Sequence, residues 1–287
     1  MKEIIVAHSP DADDIFMYYA IKFGWVDLKD TKFDNLALDI ETLNQATLRG
    51  EYDVCAISFA LYPFVKDDFA LLKTAVSFGD GYGPKLIKKK GSKLKRKFSV
   101  ALSGEYTTNA LLFKIKYPDA KITYMNFLEI ENAVLEGTVD AGVLIHESIL
   151  TYNEKLEVEK ELWDIWQELA GPNLPLPLGG MCIRRSIPLH SAIEYENTLI
   201  KAVNVANSNK ELLSKMLIER DLIRVNSETL NKYLDLYAND DSIELSALQY
   251  KALDKLYELG YKHGFYEQLI KSEEFLIPNE YAEHRSK

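Results

Sequence analysis

Cysteine is scarce in this chain. Only Cys55 and Cys182 occur in 287 residues, both inside apolar runs. That excludes a disulfide-stapled or Cys-rich metal framework and reads as two buried thiols in a reducing compartment. Long hydrophobic runs are missing too: none approaches the ~20 apolar residues a membrane helix needs. The opening MKEIIVAHSPDADD holds too few apolar residues for a signal-peptide core. The expectation is a cytoplasmic protein with no membrane partner. Positive charge is in deficit, with 34 Lys+Arg against 44 Asp+Glu and a net charge of −10, which argues against general nucleic-acid binding. The one basic stretch, residues 88–97 (KKKGSKLKRK), reads as a solvated loop between two structural units. No nucleotide-type glycine loop and no nucleophile elbow is present. The glycine-rich residues 79–84 (GDGYGP) precede a strand-like segment and read as a hairpin or hinge loop.

What remains is a soluble globular composition, 47% apolar and 27% charged, long enough for one large domain or two lobes. An internal repeat favours two. Ile4–Ala7 is a short β-branched run, followed by a polar loop and an apolar helical stretch, the order that starts an α/β unit. The same order returns near residue 98, with Val6-Ala7-His8-Ser9 matching Val100-Ala101-Leu102-Ser103. A second match pairs Leu48–Val54 with Leu135–Ala141, each with a helix ending at Gly and an Asp leading into an apolar strand. Two matches in the same order predict two α/β lobes of like topology.

The expected division is residues 1–95 plus 187–287 for the first lobe and 96–186 for the second, with Leu178–Arg184 as the second lobe's last strand. Residues after Ile187 read as mostly helical. Ser246 is placed to cap a helix carrying Leu248, Ala252, Leu256 and Leu259 on one face, packed back on the first lobe. Two lobes joined by two crossings enclose a cleft.

Parallel α/β sheets bind ligands beyond their strand C-termini, and the repeat sets four such loops around the cleft. Thr107, Thr108 and Asn109 follow Gly104 at a helix start, where hydroxyls and free N–H groups suit a substrate carboxylate; a plain Thr cap is the simpler alternative. Ala56, Ile57 and Ser58 end the equivalent strand of the first lobe, leaving Ser58 polar at its tip. His146 directly follows an apolar strand and suits a general base. His8, Asp11, Asp13 and Asp14 superficially resemble the metal loop of DHH-type phosphoesterases, but the chain lacks their downstream His-His pair. His190, His263 and His284 have no ligand spacing. The carboxylates read instead as favourable charges at a helix N-terminus, and no metal is expected.

Beyond these patterns, the chain resembles the 1,4-dihydroxy-6-naphthoate synthase family of menaquinone biosynthesis over residues 3–265. The resemblance rests on His8-Ser9-Pro10 through Asp14-Ile15-Phe16, Glu41–Asn44, Ser58, Gly83-Pro84, Tyr106-Thr107-Thr108, Ile145–Ser148 with Thr151-Tyr152, and Leu174–Gly179. It implies an α/β, two-lobed, periplasmic-binding-protein-like (type II) fold with an interlobe cleft, used as a lyase on cyclic dehypoxanthine futalosine, a small anionic substrate. It implies His146 as proton acceptor, substrate held by the segments matching Ala56–Ser58 and Thr108–Asn109, and no metal or redox cofactor. The chain departs from the family pattern at Asp11-Ala12-Asp13-Asp14, where Cys-Pro-Asn-Asp is common, and at Asn109, where a small residue is usual. A non-catalytic solute-binding protein of the same fold and a chorismate dehydratase-like sister enzyme remain alternatives. Oligomeric state is not legible.

Overall fold

The computed structural model describes residues 2–28, 31–223 and 225–279; His284 lies outside them. Its first unit is β1 (Lys2–His8), α1 (Ala12–Lys22), β2 (Thr31–Ala37), α2 (Ile40–Leu48) and β3 (Val54–Ser58). The strands run parallel with β1 central, between β2 and β3. A second unit repeats the pattern with β7 (Ser99–Leu102), α4 (Thr108–Lys116), β8 (Lys121–Tyr124), α5 (Phe127–Glu136) and β9 (Ala141–Leu144), here with β7 central. The predicted repeat is therefore one of topology. Its punctuation is visible too. Asp39 caps α2 through the Thr42 N–H, Asn126 caps α5 through the Leu128 N–H, and Gly50 and Gly137 follow in the left-handed region at φ +64° and +82°.

Between the units lie α3 (Tyr62–Val65), β4 (Phe69–Leu71), β5 (Ser77–Gly79) and β6 (Lys85–Lys89); after the second come β10 (Leu156–Glu161), α6 (Leu162–Ala170) and β11 (Leu176–Arg184). The first sheet runs β2-β1-β3-β11-β4, with β5 also on β11, and the second runs β10-β6-β9-β7-β8. This corrects two expectations. Leu178–Arg184 does not close the second lobe: it lies antiparallel between β3 and β4 in the first. The basic stretch does not lie between units, because Lys88 and Lys89 belong to β6, paired with β9 and β10 in the second sheet. The crossings thus fall in residues 80–84 and 171–175 rather than at 95–96 and 186–187. A strand's sheet is decided by which edges it can pair with, which its own composition does not record. At the first crossing Gly79 is sterically required, since a Cβ there would lie 2.2 Å from the Tyr82 carbonyl oxygen. Cys55 and Cys182 are registered partners on β3 and β11, both buried and both free thiols.

The helices α7 (Leu189–Ser208), α8 (Lys210–Glu219), α9 (Ser227–Tyr237) and α10 (Ala247–Lys262) follow. The first three pack on α1 of the first lobe, while α10 packs on β11 and also on α6 of the second. Ser246 caps α10 in a reciprocal box with Gln249. Ala252, Leu256 and Leu259 are buried as expected, but Leu248 is 48% exposed and the inward face is completed by Leu253 and Tyr257.

Candidate active site

The loops after β1, β3, β7 and β9 meet in a cavity of about 100 Å³ between the lobes. Ala56, Ile57, Ser58, Thr107, Thr108, Asn109 and His146 all line it. Ser58 and Ile145 occupy equivalent places at the ends of β3 and β9, each leading into a 3-10 turn, Phe59–Leu61 and His146–Ile149.

Residues at the start of α4 are used differently from the expectation. The Thr107 hydroxyl donates to the Gly104 carbonyl and accepts from the Ala110 N–H, both at 3.1 Å. The Thr108 hydroxyl donates to the Leu178 carbonyl at 3.0 Å and accepts from the Ala60 N–H at 3.3 Å, tying the second lobe to the first. Both hydroxyls are therefore engaged in structure. What the helix start retains is the Thr108 and Asn109 N–H groups, without an acceptor among the described residues, and the buried Asn109 Oδ1, also without a partner. Across the cavity, the Ser58 N–H donates to Asn44 Oδ1 at 3.0 Å, and Ser58 Oγ accepts from Asn44 Nδ2 at 3.2 Å. The Ser58 hydroxyl proton is thereby left to donate elsewhere.

His146 sits at φ +55°, in the left-handed region that non-glycine residues seldom occupy. Its Nδ1 lies 2.7 Å from Asp11 Oδ2, and its Nε2 is buried with no hydrogen-bond partner among the described residues. The ring packs edge-on against Phe127 of α5, centroids 4.9 Å apart. Ser9 Oγ donates to the same Asp11 oxygen, the Ser9 N–H donates to Asp14 at 2.8 Å, and Glu147 accepts from the Ala12 N–H at 3.0 Å. A carboxylate of the second lobe thus rests on the N-terminus of α1 in the first. Gly104 marks a further close approach between the lobes: a Cβ there would lie 2.7 Å from the Cβ of Glu41 on α2.

His8 turns inward instead, its Nδ1 donating to the Ser9 carbonyl at 2.7 Å and its Nε2 accepting from Asn35 at 3.4 Å. Burial lowers its pKa. Among the described residues no group of three His, Cys, Asp or Glu side chains is arranged to hold a metal ion. Sequence reasoning missed Tyr233 and Tyr237 of α9 and Leu178–Gly180 of β11, which also line the cavity. Leu178 and Gly179 lay within a segment singled out for the family resemblance, whereas nothing local marked the two tyrosines.

Burial sets the titration of this region. It pushes Asp13 up to about 7, with the Asp11 charge adding to the effect, and carries Asp14 well above the usual carboxylate range. Away from the cavity, burial likewise pushes Glu196 of α7 up to about 7, although it accepts from the Lys73 N–H at 3.0 Å. For His146 burial works against the charged form, but the nearby Asp11, Glu147 and Asp13 outweigh it and raise the pKa. Asp13 and Glu196 hold protons in the folded chain that the unfolded chain releases above about pH 4. Their contribution to stability is therefore lost as pH rises through about 7. His146 has the same sign, present below its unfolded value near 6.5 and lost above its raised folded one; His8 has the opposite sign, losing its contribution as pH falls. Between pH 5 and pH 8 the melting temperature is expected to fall by several degrees in differential scanning calorimetry. A rise over that range would contradict the buried-acid assignment.

Residues 4–262 match the family described as Menaquinone biosynthesis. The chain is 31% identical to a 1,4-dihydroxy-6-naphthoate synthase of Streptomyces coelicolor, over 86% of this chain and 89% of the relative. It is 26% identical to the synthase of that name from Thermus thermophilus, over 90% and 93%. A solved protein of Archaeoglobus fulgidus superposes with a TM-score of 0.84 at 36% identity, covering 91% of this chain and 98% of that one. The periplasmic aliphatic sulphonate binding protein SsuA of Escherichia coli matches with a TM-score of 0.65 at 11% identity, over 96% and 92% of the two chains. That last likeness is one of fold: a two-lobed, periplasmic-binding-protein-like α/β architecture with its cavity between the lobes.

Proposed function

The chain belongs to the menaquinone-biosynthesis family, and we propose that it is a lyase converting cyclic dehypoxanthine futalosine to 1,4-dihydroxy-6-naphthoate, with His146 as proton acceptor. One observation carries the chemistry: an imidazole nitrogen with no hydrogen-bond partner among the described residues, His146 Nε2, in a cavity that also offers unused N–H donors. The relatives named as this synthase support the product; the substrate follows from the resemblance to that family.

In this reading the substrate carboxylate rests on the Thr108 and Asn109 N–H groups, where the helix dipole favours negative charge, and the Ser58 hydroxyl donates to it from the other lobe. With a net charge of −10, capture depends on these local donors and not on the overall field. His146 Nε2 takes a carbon-bound proton. The electron pair left on carbon drives opening of the sugar-derived ring, whose fragment leaves. A cavity of about 100 Å³ is smaller than such a substrate, so the lobes part to admit it and close to exclude water.

The test is incubation of the purified protein with cyclic dehypoxanthine futalosine, following the naphthoate chromophore and product mass. Product formation is the expected result. Tight binding without turnover would overturn the lyase reading in favour of a solute-binding protein.

A further inference from the structure

The two atoms of the shortest polar contact made by His146 come from different lobes. Asp11 follows β1 of the first sheet, and His146 follows β9 of the second. We infer that Asp11 is the positioning residue for His146 and that the pair forms only when the cleft closes, so that closure itself arms the base. The inference deepens the proposed reaction and rests on His146 being its base.

Three observations support it. Asp11 Oδ2 lies 2.7 Å from His146 Nδ1, with side-chain exposures of 2% and 17%. In a neutral imidazole a proton on Nδ1 leaves Nε2 as the acceptor, so this contact selects the tautomer with the lone pair on the unpartnered nitrogen. Asp11 is itself fixed by the Ser9 hydroxyl, which donates to the same oxygen. Finally, the junction is made by other contacts that only a closed cleft permits: Glu147 on the Ala12 N–H, and Gly104 against Glu41 with no room for a Cβ.

The charges facing His146 come from every side. Asp11, Asp13 and Asp14 lie at the start of α1, Glu147 lies on its own turn, and Tyr233 and Tyr237 reach the cavity from α9; α5 contributes the uncharged Phe127. Asp11 is the nearest anion and the largest of the influences raising the His146 pKa against burial. An open cleft removes it, and the imidazole becomes a weaker base with either nitrogen protonated. Before closure, the substrate therefore meets a base that is not yet competent, which confines proton abstraction to the water-excluded state.

Two substitutions test this. Asp11→Asn keeps the shape and removes the charge; beside two other buried carboxyls this relieves repulsion. Gly104→Val touches neither partner but wedges the lobes apart against Glu41, with Gly104→Ala as the smaller wedge should the valine variant not fold. The His146 pKa is read by ¹⁵N-edited NMR titration, and the acid limb of the kcat–pH profile is recorded with cyclic dehypoxanthine futalosine. In Asp11→Asn, both are expected to move down by about one unit or more, with kcat near neutral pH falling at least about tenfold. The wedge variant is expected to shift the His146 pKa in the same direction. An unchanged pKa and acid limb in Asp11→Asn would overturn the positioning role. A shift in Asp11→Asn with none in either wedge variant would overturn the link to closure. Failure of the underlying base assignment has a different signature, turnover retained by His146→Ala, and leaves the NMR reading of the pair intact.

Discussion

Replacing His146 by Ala is expected to lower kcat by about 10²–10⁴-fold while leaving affinity for the naphthoate product within a few-fold of the unaltered protein. The two effects separate because the site divides its work. The proposed anion contacts are the Thr108 and Asn109 N–H groups and the Ser58 hydroxyl, none of which touches the imidazole through any hydrogen bond seen here. The substitution removes the unpartnered Nε2, the Nδ1 contact to Asp11 and the edge contact to Phe127. It leaves the left-handed backbone at φ +55° to an alanine, at a cost of order 1 kcal/mol, too small to unfold a domain of ordinary stability. Turnover and product titration on the same preparation decide the matter. A loss of affinity equal to the loss of kcat would assign His146 to binding, and wild-type turnover would remove it from the chemistry.

The largest expected effect on stability belongs to Trp166→Ala. Trp166 is fully buried in α6, and its indole N–H donates to the Leu174 carbonyl at 2.8 Å, with Gln167 donating to the same oxygen at 3.0 Å. Truncating a buried Trp costs about 3–5 kcal/mol, a large share of the 5–15 kcal/mol that holds a typical domain together. The Gln167 bond keeps the carbonyl from being orphaned, so the loss is one of packing more than of hydrogen bonding. Because residues 171–175 form one of the two crossings, the damage is expected to reach beyond the second lobe. Urea unfolding should show a lower midpoint for the whole molecule. A midpoint unchanged within error would mean that the site collapses around the void without penalty.

How much of this was legible beforehand depended on whether the signal was local. The parallel cores were legible because strand, polar loop and amphipathic helix sit next to one another in the chain, and Gly50 and Gly137 mark their helix ends by a backbone requirement. Strand ends and helix starts followed from that, so Ser58, Asn109 and His146 are legible as neighbours of one cleft, and they line one cavity. The partner strands were not legible. Residues 85–89 (KLIKK) and 176–184 (LPLGGMCIR) carry nothing that marks which sheet they enter, and each joins the sheet of the unit on the far side of a crossing. The Asp11–His146 contact was equally hidden, since Asp11 resembles a favourable charge at a helix start until the fold brings a residue from the other half against it. Threonine hydroxyls were over-read as ligands. Their geometry as a cap and a lobe tie depends on Gly104, Ala60 and Leu178, only the first of them a near neighbour in sequence.

The exchanged strand also sets an order of events during synthesis. Within the sheets, β4 and β5 pair with β11 alone, so until residue 184 has left the ribosome they have no strand to join and β3 has an open edge. All five strands of the second sheet lie between residues 85 and 161 and are available earlier. The segment made in the middle of translation can therefore complete its sheet before the segment made first, and the amino-terminal lobe is the last to finish.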